Sequence, residues 1–285
     1  MAYRILVTTD TGDKSKASAI YAIKLAKAVG GSVTALYVND STNYVNNLAC
    51  GTPGIRGDNA LGWIADKGNE FGIIVKTMTV DGIPADEIIK NMSDFDILVM
   101  GTAGREGVSH LLLGSVTEKV IRYSKCPVIA VRNLDPDTPF RMEKMLIATD
   151  GSDFTAPAVR EALRMAKVTP GVTKITALSV FDNKTMSRAS GSVDTEVACE
   201  GAVRYVHEEG SKLGLEVEKR IVPGSPSQII GGMSAYYDMV VMGTMGRTGW
   251  KRLSVGSVAE KTVREANCPV MVVRYRKQEG LPESR

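Results

Sequence analysis

The sequence predicts an α/β protein written twice: two tandem domains, each a parallel sheet flanked by helices. Short apolar runs alternate with stretches of helical period along the 285 residues, the grammar of βαβ units. One glycine pattern occurs in both halves, as Gly101-Thr-Ala-Gly104, nine residues, Gly114-Ser115, and as Gly243-Thr-Met-Gly246, nine residues, Gly256-Ser257. The offset of the repeat is nearly constant. Asp10 and Asp150 stand 140 apart, while Gly82 and Gly224, Gly101 and Gly243, Gly114 and Gly256, and Cys126 and Cys268 all stand 142 apart. The two extra residues are expected in the variable loop region between.

Each half opens with an apolar, β-rich run, residues 3–8 and 145–149, ending at Thr-Asp (Thr9-Asp10, Thr149-Asp150). A carboxylate at that end can cap the next helix or hydrogen-bond a ribose or base edge, and both readings stand. A helix follows, with Ala19, Ala22, Ile23 and Ala26 matching Val159, Ala162, Leu163 and Ala166 at i, i+3, i+4, i+7. Second strands are read over 32–38 and 174–180, then polar loops over about 40–59 and 182–194. Helices over 59–70 and 193–212 lead to strands over 73–79 and 215–222. These run into Gly82-Ile-Pro84 and Gly224-Ser-Pro226, where proline suits the first position of a helix.

Asp96 and Asp238 introduce the next strands, apolar throughout up to Met100 and Met242, as expected of strands buried on both faces. The glycine pattern therefore sits at a strand's carboxyl end, where open α/β sheets bind ligands if strand order reverses there. Helices are read from Ser115 and Ser257, each serine an N-cap with a glutamate three residues on (Glu118, Glu260). Unpaired N–H groups and the helix dipole make such a start an anion site, and glycines let a phosphate approach the backbone. Glycines after a strand can also do no more than turn the chain. Repetition of both pairs, the spacer length and the Gly-Ser in the two halves, around a spacer of different residues, favours phosphate binding. Arg105 and Arg247 hold equivalent places in that spacer, as phosphate contacts or as solvated charges. The last strands, 128–132 and 270–275, enter from Cys-Pro, and 134–141 is a polar, proline-bearing linker between domains at 1–133 and 142–276.

In these residues the chain resembles the universal stress protein family, whose nucleotide-binding members carry Gly-x-x-Gly, nine residues, Gly-Ser/Thr. The resemblance spans nearly the whole chain as two copies. It implies Rossmann-like domains with five parallel strands in the order 3-2-1-4-5. It also implies ATP at Asp10, Val38, Met100, Gly101, Gly104, Gly114, Ser115 and Val116, and again at Asp150, Val180, Met242, Gly243, Gly246, Gly256, Ser257 and Val258. Mg²⁺ is expected to accompany ATP by bridging phosphate oxygens, since the loops offer backbone donors but no cluster of carboxylates. Plain core packing explains Val38 and Val180 equally well. The second copy has the family's Asp150-Gly-Ser, whereas the first reads Asp10-Thr-Gly and departs from it. In the implied order the final strand of each domain is an apolar sheet edge, which invites pairing of the two edges within one chain. A homodimer of such chains is a further arrangement.

A net charge of +3 from 35 basic and 32 acidic residues argues against a nucleic-acid footprint or an anionic membrane surface. No apolar run approaches eighteen residues and the start lacks a signal-peptide layout, so the chain reads as cytoplasmic. Four cysteines without a Cys-x-x-Cys spacing suit neither a disulfide framework nor a zinc site. His110 and His207 hold unrelated repeat positions, which speaks against a shared catalytic role. Neither a Gly-x-x-x-x-Gly-Lys-Ser/Thr loop nor the double glycine of pyrophosphatase-type adenylating enzymes is present. The preferred reading is an ATP-binding regulatory protein with at most slow hydrolysis, signalling to a downstream protein. An ATP-dependent enzyme and a nucleotide-free interaction module are the alternatives.

Overall fold

The computed structural model describes residues 2–40, 53–102, 113–132, 134–181, 192–246 and 255–276. The first half contributes β1 (Arg4–Thr9), α1 (Asp13–Val29), β2 (Ser32–Asp40), α2 (Pro53–Glu70), β3 (Val75–Gly82), α3 (Pro84–Asn91), β4 (Ile97–Gly101), α4 (Ser115–Tyr123) and β5 (Val128–Val131). The second contributes β6 (Lys144–Ala148), α5 (Ala156–Val168), β7 (Lys174–Phe181), α6 (Ser192–Lys212), β8 (Val217–Pro223), α7 (Pro226–Met233), β9 (Met239–Gly243), α8 (Ser257–Glu265) and β10 (Val270–Val273). Each half carries the strand order 3-2-1-4-5, and the two join in one ten-stranded sheet, β3-β2-β1-β4-β5-β10-β9-β6-β7-β8. All pairings are parallel except the central one. There β5 and β10 run antiparallel, with Ile129 opposite Met271, so each half covers the other's apolar edge.

Alternation along the strands divides the core into two layers. Ile5, Val7, Ile97 and Val99 pack with α1 and α2, and Met145 and Ile147 with α5 and α6. Leu6, Leu98 and Met100 face the other way, onto α3 and α4. Apolar residues at consecutive positions are what a sheet covered on both faces requires. Helix faces follow suit: Ala22, Ile23 and Ala26 are fully buried, as are Ala162 and, at 1% exposure, Leu163.

Several boundaries differ from the sequence reading. β3 and β8 begin two residues later than expected, because Ile73 and Leu215 donate their N–H groups back to Gly68 and Gly210, closing the preceding helix. Left-handed glycines, Gly72 and Gly214, make that reversal. The helix read from Asn59 already starts at Pro53. The two extra residues of the second half fall in the α5–β7 turn, which spans 169–173 where the α1–β2 turn has only Gly30 and Gly31. Ser115 and Ser257 are not N-caps. That position belongs to the extended Gly114 and Gly256, and each serine is the first helical residue. The segment 134–141 packs against the fold: Lys24 Nζ donates to the Pro136 and Thr138 carbonyls at 2.7 and 2.9 Å.

Candidate functional site

Strand order reverses beside β1 and beside β6, since α1 and α4 leave their strands toward opposite faces of the sheet, as do α5 and α8. At that crevice each half assembles the turn after its first strand, the carboxyl end of its fourth strand and the helix start beyond. The two turns are built alike. Thr9 Oγ1 lies 2.9 Å from Ser15 Oγ and accepts the Thr11 N–H, while Asp10 Oδ1 accepts the Gly12 N–H at 3.0 Å. In the second half Thr149 Oγ1 lies 3.0 Å from Thr155 Oγ1 and accepts the Gly151 N–H. Asp150 Oδ1 accepts both the N–H and the hydroxyl of Ser152, at 3.0 and 2.6 Å. The helix N-caps are Gly12 and Thr155, so neither aspartate is the cap. Each is oriented by an Asx turn instead, its Oδ1 held by the loop.

The departure at Asp10-Thr-Gly has a conformational counterpart. Thr11 adopts φ +72°, where Gly151 stands at +76°. A β-branched residue in that region is strained, and such strain collects at functional loops.

The second glycine loop is tightly packed. A Cβ on Gly246 would stand 2.6 Å from Asp150 Oδ2, one on Gly243 3.0 Å from the Phe154 carbonyl, and one on Gly256 3.0 Å from the Thr244 carbonyl. Gly246 thus joins the glycine loop to the aspartate turn. Thr244 is pinned by its backbone, accepting the Gly256 N–H at 2.8 Å and donating to Val273 at 3.1 Å. Its buried hydroxyl has no partner among the described residues. The first half repeats the frame: Gly114 N–H donates to the Thr102 carbonyl at 3.0 Å, and Thr117 Oγ1 donates to the Gly101 carbonyl at 2.9 Å. With glycine as N-cap, neither α4 nor α8 has an N-cap side chain on its first-turn amides, among the described residues. Residues of this kind suit an anionic group: a helix start with no N-cap side chain, glycines where backbone comes close, and, at Thr244, a buried hydroxyl with no partner among the described residues.

Met100 and Met242 are buried at the strand ends, Val38 is buried and Val180 half-buried beside them, Val116 and Val258 are half-buried, and Ser115 and Ser257 are exposed. Gly104, Arg105, His110, Arg247, Lys251 and Arg252 lie outside the described residues. A cavity of about 430 Å³ opens beside the first turn, lined by Thr9, Thr11 and Ser15 and by Lys16 and Trp63, whose ammonium and ring are 5.7 Å apart. The Thr9–Ser15 and Thr149–Thr155 pairs escaped the sequence reading. They keep the repeat offset of 140, and a residue-by-residue comparison of the halves would have found them.

Burial pushes the Cys126 and Cys268 thiols up to about 12, so neither is a thiolate nucleophile at neutral pH. His207 Nδ1 lies 2.9 Å from the Val217 carbonyl, a structural contact between α6 and β8. Among the described residues no group of three His, Cys, Asp or Glu could hold a metal, and no helix is long and apolar enough to cross a membrane.

Two doubly wound α/β halves, merged through their fifth strands and each with a glycine-lined helix start at the switch point, define a tandem Rossmann-like protein. The universal stress protein family model matches residues 1–132 and again 142–274, and the chain belongs to that family. Universal stress protein MJ0531 of Methanocaldococcus jannaschii is 35% identical over 138 residues, 45% of this chain and 81% of the relative. Universal stress protein Mb2028c of Mycobacterium bovis is 26% identical over 212 residues, 73% and 71% of the two chains. The crystal structure of a universal stress protein from Archaeoglobus fulgidus superimposes with a TM-score of 0.74 at 22% identity, covering 96% of this chain and 99% of that one.

Proposed function

We propose that the chain binds ATP in both halves and works as a nucleotide-dependent regulatory protein of the stress response. The observation that carries this reading is the pair of glycine-capped helix starts at Gly114 and Gly256, without an N-cap side chain and each tied by its glycine amide to the strand end that precedes it. The triphosphate rests on the first-turn amides around Ser115 and Val116, and around Ser257 and Val258, close to the Gly101 and Gly243 strand ends. Asp10 and Asp150, already oriented by their Asx turns, face the nucleoside, with Val38 and Val180 at the base. Mg²⁺ enters with the nucleotide, held by phosphate oxygens and water, the usual habit of this ion. The cradle favours ground-state phosphates, so in this reading occupancy rather than turnover carries the signal.

Isothermal titration with Mg·ATP tests the reading. Two sites per chain are expected, with Gly114→Val and Gly256→Val each removing one. A stoichiometry of zero, or full binding by the doubly substituted protein, would overturn it. A turnover number near the roughly 10 s⁻¹ typical of enzymes would replace the regulator with an enzyme.

A further inference from the structure

Beside the turn that follows β1, the cavity of about 430 Å³ runs between the start of α1 and the middle of α2. Thr11 and Lys16 line it from the first element, and Asn59, Ala60, Trp63 and Ile64 from the second. None of its wall residues belongs to the glycine loops, and neither Asp10 nor Val38 is among them. The wall is chemically mixed and within reach of a solute. Lys16 and Asn59 are exposed, Thr11, Ala60 and Trp63 are half-buried, and Ile64 forms a floor at 1% exposure. Trp63 packs against the core, which fixes its ring, and the Lys16 ammonium hangs 5.7 Å from the ring centre.

The second half is built differently at the same place. Its turn lies directly on its helix, since a Cβ on Gly151 would stand 2.9 Å from the Ala202 Cβ, and Ala202 is 2% exposed. Thr11 holds the place of Gly151 at nearly the same φ, +72° against +76°, but it carries a Cβ. The first turn must therefore stand off from Ala60, the counterpart of Ala202, and Ala60 is correspondingly more open. Lys16, Asn59 and Trp63 have Ala156, Gly201 and Tyr205 as counterparts. The cavity thus comes from residues peculiar to the first half and not from the shared fold. Glycine would serve the turn without strain, and strain retained beside a cavity is a mark of functional loops.

We propose that this cavity is a ligand site of the first half for a planar aromatic carboxylic acid, its ring against Trp63 and its carboxylate on the Lys16 ammonium. The volume suits a fused ring pair, since a cavity of about 150 Å³ accepts benzene and small-molecule sites begin at about 300 Å³. A fixed indole over an apolar floor favours a flat ring. An exposed cation–π contact is weak, and an ammonium has three donors, so Lys16 can turn from the ring to a carboxylate. The Asn59 amide is placed to meet a polar edge of the ligand. Because the wall excludes the glycine loops, the acid and a nucleotide are expected to bind together.

Indole-3-acetate and 1-naphthoate, titrated by NMR into the full chain, are the probes. Tryptophol keeps the indole without the carboxylate, and cyclohexylacetate keeps the carboxylate without the aromatic ring. The chain has two tryptophans, so the Trp63 indole N–H signal is assigned by its loss in Trp63→Phe. Saturable shifts of that signal are expected from both acids, with and without excess Mg·ATP. Lys16→Gln, an exposed change that leaves the packing alone, should weaken both acids about tenfold, as loss of a charge-assisted hydrogen bond does. Absence of a saturable Trp63 shift with either acid overturns the proposal. So do equal affinities for tryptophol or cyclohexylacetate, unchanged acid affinity in Lys16→Gln, and displacement of the acids by Mg·ATP, which would make the cavity part of the nucleotide site.

Discussion

Thr11 and Gly246 show how single positions serve the candidate site at a cost to the fold. Thr11 holds φ +72° with a β-branched side chain, a conformation worth about 1–3 kcal/mol of strain, partly offset because glycine loses more freedom on folding. Thr11→Gly should therefore stabilise the ligand-free protein by about 1 kcal/mol, read as a higher midpoint in thermal unfolding. A lower midpoint would mean that the methyl and hydroxyl of Thr11 outweigh its backbone strain. Gly246 has a different constraint, since any Cβ meets Asp150 Oδ2 at 2.6 Å. Gly246→Ala should destabilise, and Asp150→Ala should relieve that loss if the clash is its cause; additivity of the two in a double-mutant cycle would show that it is not. The glycines and aspartates of the candidate site were legible as a pattern because they repeat. The contact between Gly246 and Asp150 was not, since it joins residues 96 positions apart in sequence that only the parallel pairing of β6 with β9 brings together.

Among the elements, β1 and β4 are tied at their amino ends by a carboxylate, and the second half repeats the device. Asp96 Oδ2 accepts the Arg4 N–H at 2.8 Å and its carboxylate pairs with the Arg4 guanidinium, just as Asp238 serves the start of β6. Burial alone would raise the Asp96 pKa, but the Arg4 side chain and N–H together bring it below the ordinary value of 3.8. A depressed folded-state pKa contributes stability that is present above the unfolded value and is lost as pH falls through the folded one. Acid unfolding below about pH 4 should thus be less steep in Asp96→Asn, and an unchanged acid limb would remove Asp96 from the account. Strand and helix identities were readable from apolar runs and from glycine and proline punctuation. Boundaries slipped where a backbone bond overrode composition, as at Ile73 and Leu215. The N-cap was misplaced because Ser115 and Ser257 have the right chemistry one residue too late, and the extended backbone of the preceding glycine decides the cap.

At the scale of the whole molecule, the ten-stranded sheet makes the two halves one structural unit, with the β5–β10 seam at its centre. Ile129 and Met271 face each other there with no exposure, so Ile129→Ala should cost about 2–5 kcal/mol. The outer edges are protected differently: Lys76 is exposed on β3, and Glu218, Lys219 and Arg220 are exposed on β8. Charged edges resist further pairing, and growth of the sheet is directed inward to the seam. The connection between β5 and β6 then matters less than the pairing it permits. Asp137, Thr138 and Pro139 are exposed, so a protease site engineered at Asp137 should be cut without dispersing the protein. The nicked chain should elute as one particle and still unfold in a single thermal transition. Excess ATP should raise that midpoint, since a hundredfold excess over the dissociation constant contributes about 2.7 kcal/mol for each occupied site. Replacing Ile129 and Met271 with lysine puts two like charges into the buried seam, and cutting that variant should release two separate halves. Elution of the cut lysine variant as one compact particle would show that the sheet is not what holds the halves together.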